Sequence, residues 1–185
     1  EDTMHNRSLT IVTDPELERF SREIDLPARL AELHIDMHPT RVVDTETSLG
    51  EHIQATLKDE DMPLLFGQDS MSTHVALQAA TQLHDAIGLI VFDAHAHFEP
   101  THTYGPASSL YHAFKGTPQD LLTPVLSPEN VVLVGLRSTS PNEANALRAS
   151  RVNVLTIADM DALGMHEVTR REIVLASRGT EGVWA

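Results

Sequence analysis

Cysteine is absent from the 185 residues of this chain. That absence excludes disulfide bonds, cysteine nucleophiles and thiolate metal ligands. Any metal site must therefore be built from carboxylates and from the 11 histidines. Imidazole nitrogen and carboxylate oxygen are donors that suit divalent first-row metals.

Basic residues are scarce as well. The chain has 13 Lys and Arg residues against 27 Asp and Glu residues, which gives a net charge of −14. Because a surface of that sign repels phosphate, we expect neither nucleic acid nor an anionic membrane as a partner. A small cationic substrate is compatible with it.

Long apolar runs are also missing. No run approaches the length of a membrane span, and the polar start Glu1-Asp2-Thr3-Met4-His5 has no signal-peptide core, so we expect a cytoplasmic protein. The length fits a single domain over residues 1–185. Because the chain ends on the strand-like run Gly182-Val183-Trp184-Ala185, we expect it to be truncated at the C-terminus or completed by another chain.

The most informative stretch begins with the apolar run Ile87 to Phe92, which predicts a strand buried on both faces. If the backbone stays extended beyond that strand, Asp93, His95 and His97 point to one side, since side chains alternate along a strand. A carboxylate and two imidazoles suit manganese, iron, nickel or zinc better than calcium. The alternative is that these histidines are ordinary hydrogen-bonded surface residues.

A second turn that could bind metal contains Asp69. It follows a predicted strand, Met62 to Phe66, and precedes a predicted helix from about Thr73 to His84. The order strand, helix, strand is typical of a parallel pair. We therefore expect Asp69 and Asp93 to lie at the carboxyl ends of adjacent strands, the edge at which open α/β sheets bind ligands.

Later segments continue the alternation. Strands are predicted at Val131 to Gly135 and Val152 to Ile157, and helices near Ser109 to Phe114, from Pro141 to Arg148 with Ser140 as its cap, and from about Glu167 to Ser177. The loop from His97 to about residue 107 is long enough to cover the metal site.

Three motifs, taken in order, resemble the ureohydrolase family of arginases, agmatinases and formimidoylglutamases. They are Phe66-Gly67-Gln68-Asp69-Ser70, Val91-Phe92-Asp93-Ala94-His95-Ala96-His97 and Val131-Val132-Leu133-Val134-Gly135-Leu136-Arg137-Ser138. The family pattern is Gly-Gly-Asp-His-Ser, then Asp-Ala-His-Thr-Asp, then a strand ending Gly-x-Arg. The similarity runs from about Glu46 to Ala185. It implies a three-layer α/β/α sandwich with a mainly parallel sheet, assembled as a homotrimer or hexamer or joined to a related subunit.

The resemblance also implies a reaction. In this family two manganese ions share a bridging hydroxide that attacks the carbon of a cationic guanidino or amidino substrate. It assigns Asp93 to a carboxylate that bridges the two ions and His95 to the second ion. Nickel is an alternative metal.

Two positions depart from the pattern. Asp69 stands where the family has His, and His97 stands where it has Asp, so one His and one Asp have exchanged places. Three interpretations are open: a compensated site with altered metal preference, a decayed site in a non-catalytic paralogue in which Gln68 has also replaced a supporting Asp, or an engineered change.

The family's closing motif, Ser-x-Asp-x-Asp-x-x-Asp-Pro, is missing from these residues. Asp159-Met160-Asp161 has a similar spacing. It lies at a predicted helix start, however, where capping and the helix dipole explain the carboxylates. We therefore do not assign it to a metal.

Three further residues are matched through the resemblance. Ser108-Ser109-Leu110-Tyr111-His112 is similar to the family's Ser-Gly-Asn-Leu-His, in which the His transfers a proton to the leaving amine. His112 is accordingly a candidate catalytic residue, the alternative being an exposed helix His. Glu99 and Ser108 fall where family members contact the substrate.

The sequence thus predicts a metal-dependent hydrolase that releases urea or an analogue from a linear guanidino or amidino compound. The alternative from another class is a non-catalytic paralogue that stabilises or regulates an active subunit. A protein that binds a single metal ion is a third candidate.

Overall fold

The structure is a computed structural model that describes residues 9–13, 18–19, 22–32, 35–43, 46–67, 70–101, 105–115 and 126–185. The chain divides into two compact units, Glu1–Ala80 and Thr81–Ala185. Among the residues described, no helix has both the length and the apolar character needed to cross a membrane.

The first unit contains a parallel sheet of three strands in the order β2-β1-β3. β1 (Leu9–Thr13) is the middle strand and pairs with β2 (Arg41–Val42) and β3 (Met62–Phe66). All five residues of β1 are buried. Complete burial is expected of a central strand in a parallel sheet, because both of its faces are covered.

The described part of this unit includes the helices α1 (Leu26–Glu32), α2 (Glu46–Lys58) and α3 (Ser70–Thr81). Pro27 lies in the first turn of α1, where a missing N–H is tolerated. α2 packs on β1 and β3 and buries Leu49 and Ile53, which are one helical turn apart.

The second unit contains a parallel sheet of four strands in the order β6-β5-β4-β7. β4 (Ile87–Phe92) pairs with β5 (Val131–Leu136) in a register that sets Leu89 opposite Val131. β7 (Gly182–Trp184) borders β4 on its other side, and β6 (Asn153–Thr156) borders β5. The predicted strands of this half of the chain are therefore present, with ends shifted by at most one residue.

The expectation that β3 and β4 are adjacent strands is wrong. β4 is bordered by β5 and β7, and β3 pairs with β1. The order strand, helix, strand predicts a parallel crossover. That order does not show which strands are adjacent in the sheet, because strands from later in the chain, here β5 and β7, can pair with both edges of β4.

The described residues of the second unit form the α-helices α4 (Ser109–Lys115), α5 (Pro141–Ser150), α6 (Ile157–Leu163) and α7 (Met165–Ala176). α7 packs on β4 and β5. The contact is made by a cluster of apolar side chains from the three elements, namely Ile90, Val132, Val134, Val168 and Ala176.

Gly88 allows this close packing. A Cβ atom at that position of β4 would lie 2.1 Å from the carbonyl oxygen of Ala176, so any larger residue would push α7 away from the sheet. The helix is thereby held against the strand that leads into the candidate site.

Capping boxes begin α5 and α6. In α6 the backbone N–H of Thr156 donates to Asp159 Oδ2 at 2.7 Å, and the N–H of Asp159 donates to Thr156 Oγ1 at 3.2 Å. The hydrogen bonds from Thr156 hold the pKa of Asp159 below its usual value. The interpretation of Asp159-Met160-Asp161 as a helix start is confirmed.

Glu172 is an unusual residue on the buried face of α7. It lies one turn from both Val168 and Ala176, and it is only 3% exposed. Its Oε2 atom has no hydrogen-bond partner among the described residues. Burial raises the pKa of the Glu172 carboxyl, because the charged form loses its hydration.

We predict that Glu172→Gln stabilises the protein at neutral pH. Because the folded state raises this pKa, the stabilising contribution of Glu172 is complete below its unfolded pKa and is lost as pH rises through the folded pKa. The glutamine side chain does not ionise, so the variant does not lose this stability as pH rises. Its free energy of unfolding at pH 7 should exceed that of the parent protein by about 1–3 kcal/mol and should vary less with pH. Urea denaturation between pH 2 and pH 8 measures this.

Glu167→Gln on the same helix is the control, because folding lowers the pKa of Glu167 but raises that of Glu172. Hydrogen bonds from Arg170 and Arg171 lower the pKa of Glu167 to about 2. Its contribution is therefore present above the ordinary carboxyl pKa and is lost as pH falls toward 2. An unchanged pH profile in Glu172→Gln would contradict the account of Glu172.

Candidate functional site

The segment after β4 follows the segment after β5 beyond the ends of both strands. The N–H of Asp93 donates to the carbonyl of Val134 at 3.1 Å, and the N–H of Arg137 donates to the carbonyl of Ala94 at 3.0 Å. His95 forms a parallel bridge with Ser138. The strand pairing thus continues into the loop that carries the candidate ligands.

Asp93 organises the histidines of this loop. Its Oδ1 atom accepts the backbone N–H of His95 at 2.8 Å, and it lies 3.4 Å from Nδ1 of the His95 ring. Its Oδ2 atom lies 2.9 Å from Nε2 of His97. The predicted grouping of these three side chains is therefore present within the loop.

His97 is held more firmly than His95. Its Nδ1 atom lies 2.5 Å from the carbonyl oxygen of Pro106, and because a carbonyl only accepts, Nδ1 carries the hydrogen and donates. Nε2 is then the atom that faces Asp93. The His95 side chain, in contrast, is 67% exposed.

The expectation of an extended backbone from Asp93 to His97 is wrong. His97 has a φ of 51°, in the left-handed region that residues other than glycine seldom adopt. Asp93 and His97 approach each other because the chain bends at Ala94 and turns at His97, and strand alternation is not the cause. Backbone of this kind is costly and is concentrated at functional sites.

The electrostatics favour an ionised Asp93. Burial is the largest single influence and raises the pKa of Asp93, but the backbone N–H of His95 and the rings of His97 and His95 together outweigh it. The net result is a pKa below the ordinary value for this carboxyl. An anionic carboxylate between two imidazoles attracts a cation.

The donor chemistry fits a transition metal. Two atoms that bind one octahedral ion at a right angle and about 2.1 Å lie roughly 3.0 Å apart. Asp93 Oδ2 and His97 Nε2 lie 2.9 Å apart, which is a hydrogen-bond distance, and an ion between them would require only a small change in their separation. A histidine that ligates a metal commonly donates its other N–H to a carbonyl, as His97 does to Pro106.

The described residues do not form a complete metal shell. No group of three or more His, Asp and Glu side chains in that part of the chain is arranged to hold an ion. Asp69, the predicted fourth ligand, lies outside the described residues, as does Gln68. The assignment of Asp69, Asp93, His95 and His97 to a metal stays a prediction.

His112 is buried in α4 and is only 1% exposed, so the alternative of an exposed helix histidine is wrong. Its ring meets the ring of Tyr111 edge to face, with centroids 5.5 Å apart. The first turn of α4, which includes His112, is joined to the site, because the N–H groups of Leu110 and Tyr111 donate to the carbonyl of His97. Its role as a catalytic residue is untested by these contacts.

Glu99 and Ser108, the predicted substrate contacts, take part in internal hydrogen bonds. Glu99 accepts from Ser140 Oγ at 2.8 Å and from Asn142 Nδ2 at 3.3 Å. Ser108 is buried and donates to the carbonyl of Gly105 at 3.2 Å. Substrate binding by these two residues remains a prediction.

Comparison with known proteins identifies the family. The model of the arginase family matches residues 16–184. The chain belongs to the arginase family. The arginase of Staphylococcus aureus (strain COL) is 26% identical over 155 residues, which is 77% of this chain and 50% of that protein. The arginase of Bacillus caldovelox is 26% identical over 152 residues, with the same shares covered. The chain thus spans about half the length of these curated relatives.

Solved structures show the arginase fold. The arginase from Bacillus subtilis subsp. subtilis str. 168 has a TM-score of 0.79 at 19% identity, covering 96% of this chain and 72% of that one. The formimidoylglutamase from the same organism has a TM-score of 0.76 at 16% identity, covering 99% of this chain and 65% of that one. The predicted α/β/α fold with a parallel sheet is confirmed.

The sequence did not reveal every residue that supports the candidate site. Pro106 contributes a backbone carbonyl, for which no sequence signal exists. Glu143 donates its N–H to Ser140 Oγ in the cap of α5, and its carboxylate also accepts the backbone N–H of Phe98 at 3.2 Å. The Ser140-Pro141-Asn142-Glu143 pattern identifies the cap but not the contact with Phe98.

We predict that, in the absence of metal, substitution of His97 destabilises the protein more than substitution of His95. His97→Asn keeps a residue that tolerates left-handed backbone but removes both ring hydrogen bonds, so the free energy of unfolding should fall by about 1–3 kcal/mol. His95→Asn at the exposed ring should change it by less than about 0.5 kcal/mol. Urea denaturation in EDTA compares them, and equal losses would contradict the geometry described for His97.

Proposed function

We propose that this protein is a metal-dependent hydrolase of the ureohydrolase type, acting on a linear guanidino or amidino compound and releasing urea or an analogue. The observation that carries the proposal is the meeting of Asp93 with His97 and His95 at the carboxyl end of β4. Membership of the arginase family supports the reaction class. The cationic substrate suits a chain with a net charge of −14.

Asp93, His95 and His97 would hold the metal, together with Asp69. His97 would use Nε2, because its Nδ1 hydrogen is committed to Pro106. When bound, manganese, or nickel in its place, supplies a water whose pKa is low enough for attack at neutral pH. By analogy with the family, each site would hold two ions. The exchange of His and Asp between positions 69 and 97 would preserve the count of carboxylates and imidazoles.

The remaining assignments extend the proposal. His112 would pass a proton to the leaving amine, since imidazole exchanges protons near neutral pH. Glu99 and Ser108 would contact the far end of the substrate. Residues 1–185 would act as a single ureohydrolase-like domain in a cytoplasmic homotrimer or hexamer, or in a complex with a related subunit. Neither nucleic acid nor a membrane would be a partner.

We predict that the protein purified with manganese contains bound metal and releases urea from at least one of arginine, agmatine, guanidinobutyrate and guanidine. Asp93→Asn keeps the shape of the side chain but removes its charge. It should weaken metal binding by more than the roughly 10- to 100-fold that loss of an outer-shell partner costs. Elemental analysis and a colorimetric urea assay measure both effects.

Two other results of these measurements would distinguish the alternative functions. No bound ion after supplementation with manganese or nickel, and no urea, would contradict the proposal and favour a non-catalytic partner subunit. One ion with no urea from any of the four compounds would instead favour a protein that only binds metal.

A further inference from the structure

One peptide unit, between His97 and Phe98, is bound at both of its polar atoms. Its carbonyl oxygen accepts the N–H groups of Leu110 and Tyr111, at 3.0 and 3.2 Å, in the first turn of α4. Its N–H donates to Oε1 of Glu143, at 3.2 Å, in the first turn of α5. The two helices therefore hold this peptide from opposite ends.

Glu143 serves two hydrogen bonds at once. Its Oε2 atom accepts the backbone N–H of Ser140 at 2.9 Å and so completes the capping box of α5. Its Oε1 atom is left to reach the loop at Phe98. Glu99 adds a second connection to the same helix start through Ser140 and Asn142.

The orientation of this peptide, together with the φ of His97, sets the direction in which the His97 side chain leaves the backbone. The His97–Phe98 peptide plane is set by the ψ angle of His97, which already has the left-handed φ of 51°. A residue in that region persists only when its surroundings constrain it. Phe98 itself is 2% exposed and packs on Tyr111 and Phe114, with ring centroids 5.6 Å apart in each pair. The hydrogen bond from Glu143 completes the constraint on the peptide.

We propose that Glu143 is a positioning residue of the metal site: by binding the N–H of Phe98, it keeps His97 left-handed with Nε2 directed at Asp93. The part of this inference that concerns metal rests on the proposed function. The part that concerns the loop does not, because the contacts are made by the chain alone. Glu143 acts through His97 and touches no reacting atom.

Glu143→Asp should keep the hydrogen bond from the N–H of Ser140 and lose the one from the N–H of Phe98. In α6 an aspartate at the equivalent helix position, Asp159, completes a capping box with Thr156, so the shorter carboxylate of this variant should still cap α5. Its side chain lacks one methylene and should not reach Phe98. Glu143→Gln is the complementary variant: its single acceptor oxygen can keep the N–H of Phe98, while its NH2 group cannot accept the N–H of Ser140. Thr156→Ala is the matched control, since it removes the equivalent cap from another helix.

The first readout needs no metal. In Glu143→Asp, hydrogen exchange at the Phe98 amide should be about ten-fold faster or more, as expected for loss of a bond to a charged acceptor. The ¹⁵N resonances of the His97 ring should shift as well. Glu143→Gln should stay close to the parent protein, and Thr156→Ala should leave both signals unchanged.

The second readout is the dissociation constant for Mn²⁺, measured by calorimetry on the intact chain. Glu143→Asp should weaken it by about 10- to 100-fold, as loss of a ligand's supporting partner does, while Glu143→Gln and Thr156→Ala should bind like the parent. Parent-like exchange and binding in Glu143→Asp would overturn the proposal, and so would an equal loss of binding in Thr156→Ala. If the parent binds no Mn²⁺, the proposed function fails and the exchange rates and ring resonances decide the positioning role.

Discussion

The pairing of β4 with β5 is the interaction on which the candidate site depends. Two apolar parallel strands place Asp93 beside Val134, and the backbone hydrogen bonds then continue past the strand ends through Ala94, Arg137 and Ser138. Backbone bonds of this kind hold a loop more firmly than side-chain contacts alone, because each one fixes the direction of a peptide plane. Asp93 and His95 therefore lie on a segment that is still hydrogen-bonded to the chain after β5, and His97 follows at the turn.

His97 joins that segment to the rest of the second unit. Its ring links Asp93 to Pro106, and its carbonyl receives the first turn of α4. A left-handed histidine is unfavourable in isolation, so these bonds and the Glu143 contact have to offset its cost. This arrangement also fits the departure from the family pattern, since the residue that replaces Asp is integrated into the loop by both ring nitrogens.

The sequence predicted the elements that have a local signal, namely buried strands from their apolar runs and helix starts from their caps. Buried strands such as Ile87–Phe92 and the helix that begins at Pro141 were correct, because burial and caps are encoded locally. The neighbour of β4 and the turn at His97 could not be read locally. Strand order depends on contacts between distant segments such as Ile87 and Gly182, and the left-handed turn depends on acceptors and donors from Pro106, Leu110 and Glu143. The family motifs located the site but not the bonds that support it.

We propose that the loop after β4 binds a catalytic metal. A crystal of the protein grown with Mn²⁺ and measured at the manganese absorption edge tests it most directly. We predict an anomalous peak within about 2.5 Å of the Asp93 carboxylate and of ring nitrogens of His95 and His97. A map with no peak there, and with Asp93 still hydrogen-bonded to His97, would contradict the account.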